Sequence, residues 1–224
     1  MSLIAKEKGG STMELIPQGI HLAKCISIID LWTQSITFEK QEKEVHQVRF
    51  EFELPTEKYT YKDKETDEEK TGTRIIWTNF TVSLNWKAKM KKFLESWRGK
   101  KFTQEELDWF NLWKILWKTC QLQIIHSEDW KRANIENALP LMKWVEVPKC
   151  EREEVLFSIE EDKKWKPTGF NEEIFNNLPE WLQNKIKESK EVKELYWITS
   201  IEDEEKEVKE KKEVSTKEVE DLFE

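Results

Sequence analysis

The residues best equipped for chemistry in this chain are aromatic, not nucleophilic. The stretch "NLWKILWKTC", residues 111–120, sets two tryptophans four residues apart beside a cysteine and two lysines, and twelve tryptophans occur in 224 residues. An indole offers a broad π face on which a nucleobase stacks, so a stacking platform is the first chemistry these residues suggest. Catalytic signatures are missing from the sequence: it holds no P-loop, HExxH, GxSxG or His-Cys-Glu deaminase pattern. The many carboxylates alternate with lysines, as on solvated faces, and no acidic pair is singled out by its spacing. Enzymatic activity is not expected. Cys25, Cys120 and Cys150 lie far apart without a CxxC, which argues for reduced, buried thiols over a disulfide framework or a zinc site. His21, His46 and His126 are isolated among strand-like neighbours and read as structural, so neither a metal nor a cofactor is expected.

Those side chains need elements to position them. "GIHLAKCISIID" (19–30) is a strand with Ile20, Leu22, Ile26 and Ile28 on one face. "VHQVRFEFEL" (45–54) alternates cleanly, with Val48, Phe50, Phe52 and Leu54 inward and Gln47, Arg49, Glu51 and Glu53 outward. "RIIWTNFTVSL" (74–84) turns Ile76, Phe80, Val82 and Leu84 inward and Asn79, Thr81 and Ser83 outward. The polar stretch between the last two has room for an extended hairpin or a loop. "KAKMKKFLESW" carries Met90, Phe93, Leu94 and Trp97 at helical spacing, and Thr103 with Glu106 forms a capping box for a second helix. Two further strands, 118–126 and 131–141, flank the tight connection "SEDW". Ile174, Phe175, Leu178, Trp181, Leu182 and Ile186 then form a helical stripe that should pack back on the barrel or on another subunit.

Three strands, helices and a hairpin are the element order of an OB-fold, a five-stranded partly open barrel; a small sandwich is the alternative. The expected fold is therefore mainly β with helical additions. Its parts are a flexible N-terminus (1–12), an OB-fold nucleic-acid-binding domain (13–148), a helical extension (149–198) and a disordered acidic tail (199–224).

Charge is unevenly spread. Residues 202–224 hold eleven acids and five bases, six of the eight net negative charges, which leaves two for residues 1–201. The tail lacks apolar periodicity, yet it ends in Asp221, Leu222 and Phe223. It reads as a solubilising tail or as an acidic-apolar peptide that docks on partners and competes with nucleic acid for a basic groove. No run reaches the roughly 18 apolar residues of a membrane span, and the N-terminus lacks a secretory signal, so a cytoplasmic protein with no membrane partner is expected.

The tryptophans are badly placed for a core. Twelve tryptophans accompany six glycines, where about 7% glycine, roughly 16 residues, is ordinary. Trp32, Trp86, Trp117, Trp130 and Trp165 fall at expected turns, while only Trp97 and Trp181 sit on helical apolar faces. Exchanging the other ten (Trp32, Trp77, Trp86, Trp109, Trp113, Trp117, Trp130, Trp144, Trp165 and Trp197) for glycine would give sixteen glycines and two tryptophans. A gene that reads UGA as glycine, translated with UGA as tryptophan, would produce this pattern.

"MELIPQGIHLAKCISIIDLWTQ", "LESWRGKKFTQEELDWFNLWKILWKTCQLQIIH", "ANIENALPL" and "LPEWLQNKIKES" resemble a family of bacteriophage proteins described as single-stranded DNA-binding or replication-associated. The resemblance covers roughly residues 13–190, and the family has glycine at several places where this chain has tryptophan. It implies sequence-nonspecific binding of single-stranded DNA in replication or recombination, in a bacterium or bacterial host cell. Cooperative coating is common in this class, so self-association along the strand is expected, and the acidic tail would reach replication or recombination proteins.

An OB-fold binds along strands two and three and the loops beside them. The first loop offers Gln34, Phe38 and Lys40, and the second Lys131 and Arg132. Lys24, Arg49 and Asn79 come from the sheet face, with Asn134 on the fifth strand. The long hairpin adds Tyr59, Tyr61 and Lys62, and Arg98, Lys100 and Lys101 cluster after the first helix. The rival reading is an adaptor with little DNA affinity that binds a replication or recombination protein.

Overall fold

A computed structural model of the chain describes residues 14–38, 41–63, 68–161 and 167–195; the segments 1–12 and 199–224, Lys40, and the side chain of Phe38 lie outside the described residues. The chain is mainly β. Strands β1 (Gly19–Phe38), β2 (Gln41–Lys62) and β3 (Glu69–Thr81) are followed by helices α1 (Lys89–Arg98) and α2 (Gln104–Trp109), then by β4 (Thr119–His126) and β5 (Ala133–Leu139). The sheet runs in the order β3-β2-β1-β4-β5, with the short β6 (Val155–Phe157) on β1. It is an open antiparallel sheet whose path ends in β3 and β5, and the closing pair of a barrel is absent from its ladders among the described residues. Two compact units divide these residues. One holds residues up to Ile26, Phe50–Thr78 and Leu84–Glu154; the other holds Ser27–Arg49, Asn79–Ser83 and the chain from Val155 onward.

In the first unit β1 pairs antiparallel with β4, Gly19 opposite Ile124 and Lys24 opposite Thr119. β4 pairs with β5 through a bulge between Gln123 and Ile124. Phe52, Leu54, Leu122 and Ala138 are fully buried, and α1 adds Met90, Phe93, Leu94 and Trp97 from one face, as their spacing requires. Each such side chain contributes about 1.5–3 kcal/mol on burial. The Trp97 indole N–H donates to the Thr119 carbonyl at 3.0 Å, so this tryptophan is satisfied as well as packed. Gly99 ends α1 at φ 67°, where an added Cβ would come within 2.9 Å of Pro140. The capping box of Thr103 and Glu106 starts α2 as expected.

Two strand expectations need correction here. The inward face of β1 begins on His21, Ala23 and Cys25, all buried, while Ile20 is 53% exposed. Alternation could not choose between the faces because both carry apolar residues. Glu53, expected outward, is fully buried: its carboxylate accepts the Thr73 hydroxyl at 2.7 Å and the Glu151 and Arg152 backbone N–H groups at 2.8 and 3.2 Å.

The second unit contains the rest of β1 and β2, with β6 parallel to β1 along Ser27–Ile29. A two-stranded sheet of β7 (Ile159–Glu161) and β8 (Pro167–Phe170) also belongs to it, with helices α3 (Glu172–Asn177) and α4 (Glu180–Lys187). Ile29, Leu31, Trp32, Phe157, Phe175, Leu178, Leu182 and Ile186 form its core. The helical stripe therefore packs within this unit. Trp181 departs from it, 51% exposed, with the Arg49 guanidinium 4.8 Å from its ring.

Candidate nucleic-acid interface

The β2–β3 hairpin brings aromatic and cationic groups together in the first unit. Tyr59 and Tyr61 are two residues apart on β2 and so share a face; their rings lie 5.5 Å apart at 31°. Gly72 on β3 leaves room for both, since a Cβ there would touch each ring at 3.4–3.5 Å. The Arg74 guanidinium lies 5.9 Å from the Tyr59 ring and donates to the Glu14 carbonyl. Beside them opens a cleft of about 400 Å³, lined by Tyr59, by Thr73–Ile75 of β3, by Ala133 of β5, by Arg152 and by Glu14–Ile16. Both ends of the open sheet thus border one cleft. The segment 14–16, part of that lining, is tied to Arg74 on β3 and to His126 on β4, whose Nε2 lies 2.8 Å from the Ile16 carbonyl.

A second hollow, about 700 Å³, lies against α1 and α2 in the same unit. Its walls are apolar (Leu94, Trp97, Phe110 and Ile115), and Arg98, Lys100, Lys114 and Lys118 stand around it with Glu105 and Glu106. Arg98 stacks on Phe102 at 4.4 Å and on Phe110 at 5.6 Å, and pairs through Nη2 with Glu106. Its Nη1 is buried without a hydrogen-bond partner among the described residues. The Arg98 hydrogen bond, with the Thr103 backbone N–H next, holds the Glu106 carboxyl below its ordinary value.

The expected site residues are not all gathered in one place. Tyr59, Tyr61 and Lys62 share the hairpin strand, and Tyr61 and Lys62 are exposed. Lys131, Arg132 and Asn134 are exposed around the start of β5, next to the cleft residue Ala133. Arg98 and Lys100 border the larger hollow, and Lys101 is exposed beside them. Lys24 is half-buried, its ammonium 3.9 Å from the Trp117 ring centroid.

Gln34, Arg49 and Asn79 belong to the second unit. Gln34 is buried and its amide donates to the Leu31 and Lys185 carbonyls, which makes it a structural tie. Arg49, expected outward, is 3% exposed. Burial, and then the Arg49 charge, lower the Lys185 ammonium pKa. Asn79 is half-buried. Lys40, Asp221, Leu222 and Phe223 lie outside the described residues.

Arg74 and Arg152 join the site without a sequence signal, whereas Lys114 and Lys118 stand four residues apart in "NLWKILWKTC". Like His126, the other two histidines are hydrogen-bonded: His21 meets Glu57 at 3.0 Å and the Pro17 carbonyl at 2.9 Å, and His46 meets Asp30 at 2.6 Å. No described helix is long and apolar enough to cross a membrane. No protein-family model, curated protein or solved structure matches the chain.

Proposed function

We propose that this chain is a sequence-nonspecific single-stranded DNA-binding protein of the kind phages use in replication and recombination. The observation that carries the reading is the paired Tyr59 and Tyr61 rings beside Arg74, at a cleft that also holds Arg152. Stacking on exposed rings is worth about 1–3 kcal/mol per base and tolerates any sequence, while the arginines and nearby Lys62, Lys131 and Arg132 pair with phosphates. Three strands, two helices and a hairpin whose end strands border one cleft support a partly open OB-type barrel. The mechanism needs no reaction: backbone charge pairing and stacking hold the strand.

Fluorescence anisotropy with labelled oligo-dT at several salt concentrations tests this. Binding should weaken with a log-log slope of roughly −0.7 per phosphate neutralised. Absence of binding at low salt would sink the reading. The larger hollow favours a second reading, a protein adaptor, because its walls are apolar; an interface of that type would change little with salt.

A further inference from the structure

Six described residues have a positive φ: Gly19, Gly99, Gly169, Trp32, Trp117 and Trp130. Asn, Asp and His, the residue types besides glycine that tolerate this region best, are not among them. We infer that the native protein carries glycine at positions 32, 117 and 130, its gene using UGA for glycine, and that Lys24 then joins the strand-binding surface.

The local bonds at all three positions are those of glycine sites. Trp130, at φ 55°, follows Asp129 in the β4–β5 connection, donates its N–H to the Ser127 carbonyl at 2.8 Å, and leaves its ring 65% exposed. That bond makes it the fourth residue of a turn, a position that favours glycine. Trp117, at φ 63°, turns the chain after the 3-10 segment Leu112–Ile115 and donates to the Cys25 carbonyl at 2.8 Å. Trp32, at φ 51°, lies inside β1 with its N–H on the Asp30 carboxylate at 2.9 Å.

A bulky L-residue in this region loses roughly 5- to 30-fold in conformational equilibrium. The exposed indole of Trp130 does not offset that, and the half-buried Trp117 ring rests against the Lys24 ammonium. Trp77, Trp86, Trp109, Trp113 and Trp144 are also 49–93% exposed, so they bury little. Trp32 is the exception, 3% exposed with its ring 5.5 Å from Phe157; glycine there would relieve the backbone but empty a packed site. Replacing Trp117 removes the ring lying 3.9 Å from the Lys24 ammonium and leaves that charge free for a phosphate. This last step rests on the proposed DNA-binding function, whereas the glycine assignment does not.

Two measurements decide the matter, and the first is the codons of the source gene. UGA at 32, 117 and 130 with UGG at Trp97 is expected; UGG at 117 and 130 overturns the inference. The second is thermal unfolding of Trp117→Gly/Trp130→Gly, expected to rise by roughly 2–4 °C per site; an unchanged or lower midpoint overturns the glycine assignment at those sites whatever the DNA result. In that variant the oligo-dT salt slope should steepen by roughly 0.7, and Lys24→Ala should remove the gain. A slope unmoved by either change overturns the role of Lys24 alone.

Discussion

Glu53 on β2 receives the Thr73 hydroxyl of β3 at 2.7 Å while also holding two backbone N–H groups of residues 151 and 152. Thr73 and Arg152 both border the smaller cleft, so one buried carboxylate fixes two parts of its wall. Glu53→Ala strands a hydroxyl and two amides in the interior, at about 1–3 kcal/mol for a buried unsatisfied group. A stability loss of about 3 kcal/mol, or roughly 6–12 °C in the unfolding midpoint, is expected by calorimetry. The same variant should bind oligo-dT more weakly.

Tyr61 is 42% exposed and its ring partners Tyr59, so Tyr61→Ala should change stability little. Oligo-dT affinity should fall by roughly 5- to 150-fold, the equivalent of one stacked base. Tyr61→Phe keeps the π face and should bind almost as the parent does. Equal affinity for the Ala variant would remove the stacking platform from the mechanism.

Burial, followed by the neighbouring Glu53 charge, pushes the Cys150 thiol up to about 11, and burial with Cys25 nearby raises Cys120 well above its ordinary value. Both thiols stay protonated at pH 8, and only thiolates react with iodoacetamide. Alkylation of the native protein should therefore be slow and accelerate on adding denaturant. The sign of the stability effect follows from the raised value: the unfolded thiols ionise first, near pH 9, so stability holds below that and falls as pH climbs toward 11. Denaturant midpoints at pH 7, 9 and 10.5 check this.

At the start of α2 the Glu106 carboxyl is held below its ordinary value by Arg98 and the Thr103 N–H. A depressed carboxyl stabilises above the unfolded value, near 4.5, and loses that contribution as pH falls through the folded one. Amide exchange at residues 103–107 should accelerate more than exchange in α1 as the pH falls below 4.5. Thr103→Ala removes the other half of the box and should cost about 1 kcal/mol at neutral pH.

How much the sequence disclosed depended on how local each feature is. The stripe of Met90, Phe93, Leu94 and Trp97 and the Thr103–Glu106 box each lie within eight residues, and both form as read. The order of strands and helices was also legible from alternation and turn residues. Burial of Glu53 was not, because its backbone partners lie 98 and 99 residues away and nothing in "VRFEFEL" announces them. Arg49 was hidden for a similar reason: its neighbour Trp181 comes from α4. Of the candidate interface, Tyr59, Tyr61, Arg98 and Lys100 could be picked from composition. Arg74 and Arg152 gain their meaning only where β3 and the segment after β5 border a common cleft.

The tie at that cleft has a practical corollary. Arg74 and His126 both grip main-chain oxygens, those of Glu14 and Ile16, so the seam ignores which side chains are threaded through it. An affinity tag fused ahead of residue 14 should leave it sewn. Trimming the chain past Ile16 would cut both stitches at once, and the hem of the sheet would come loose there first.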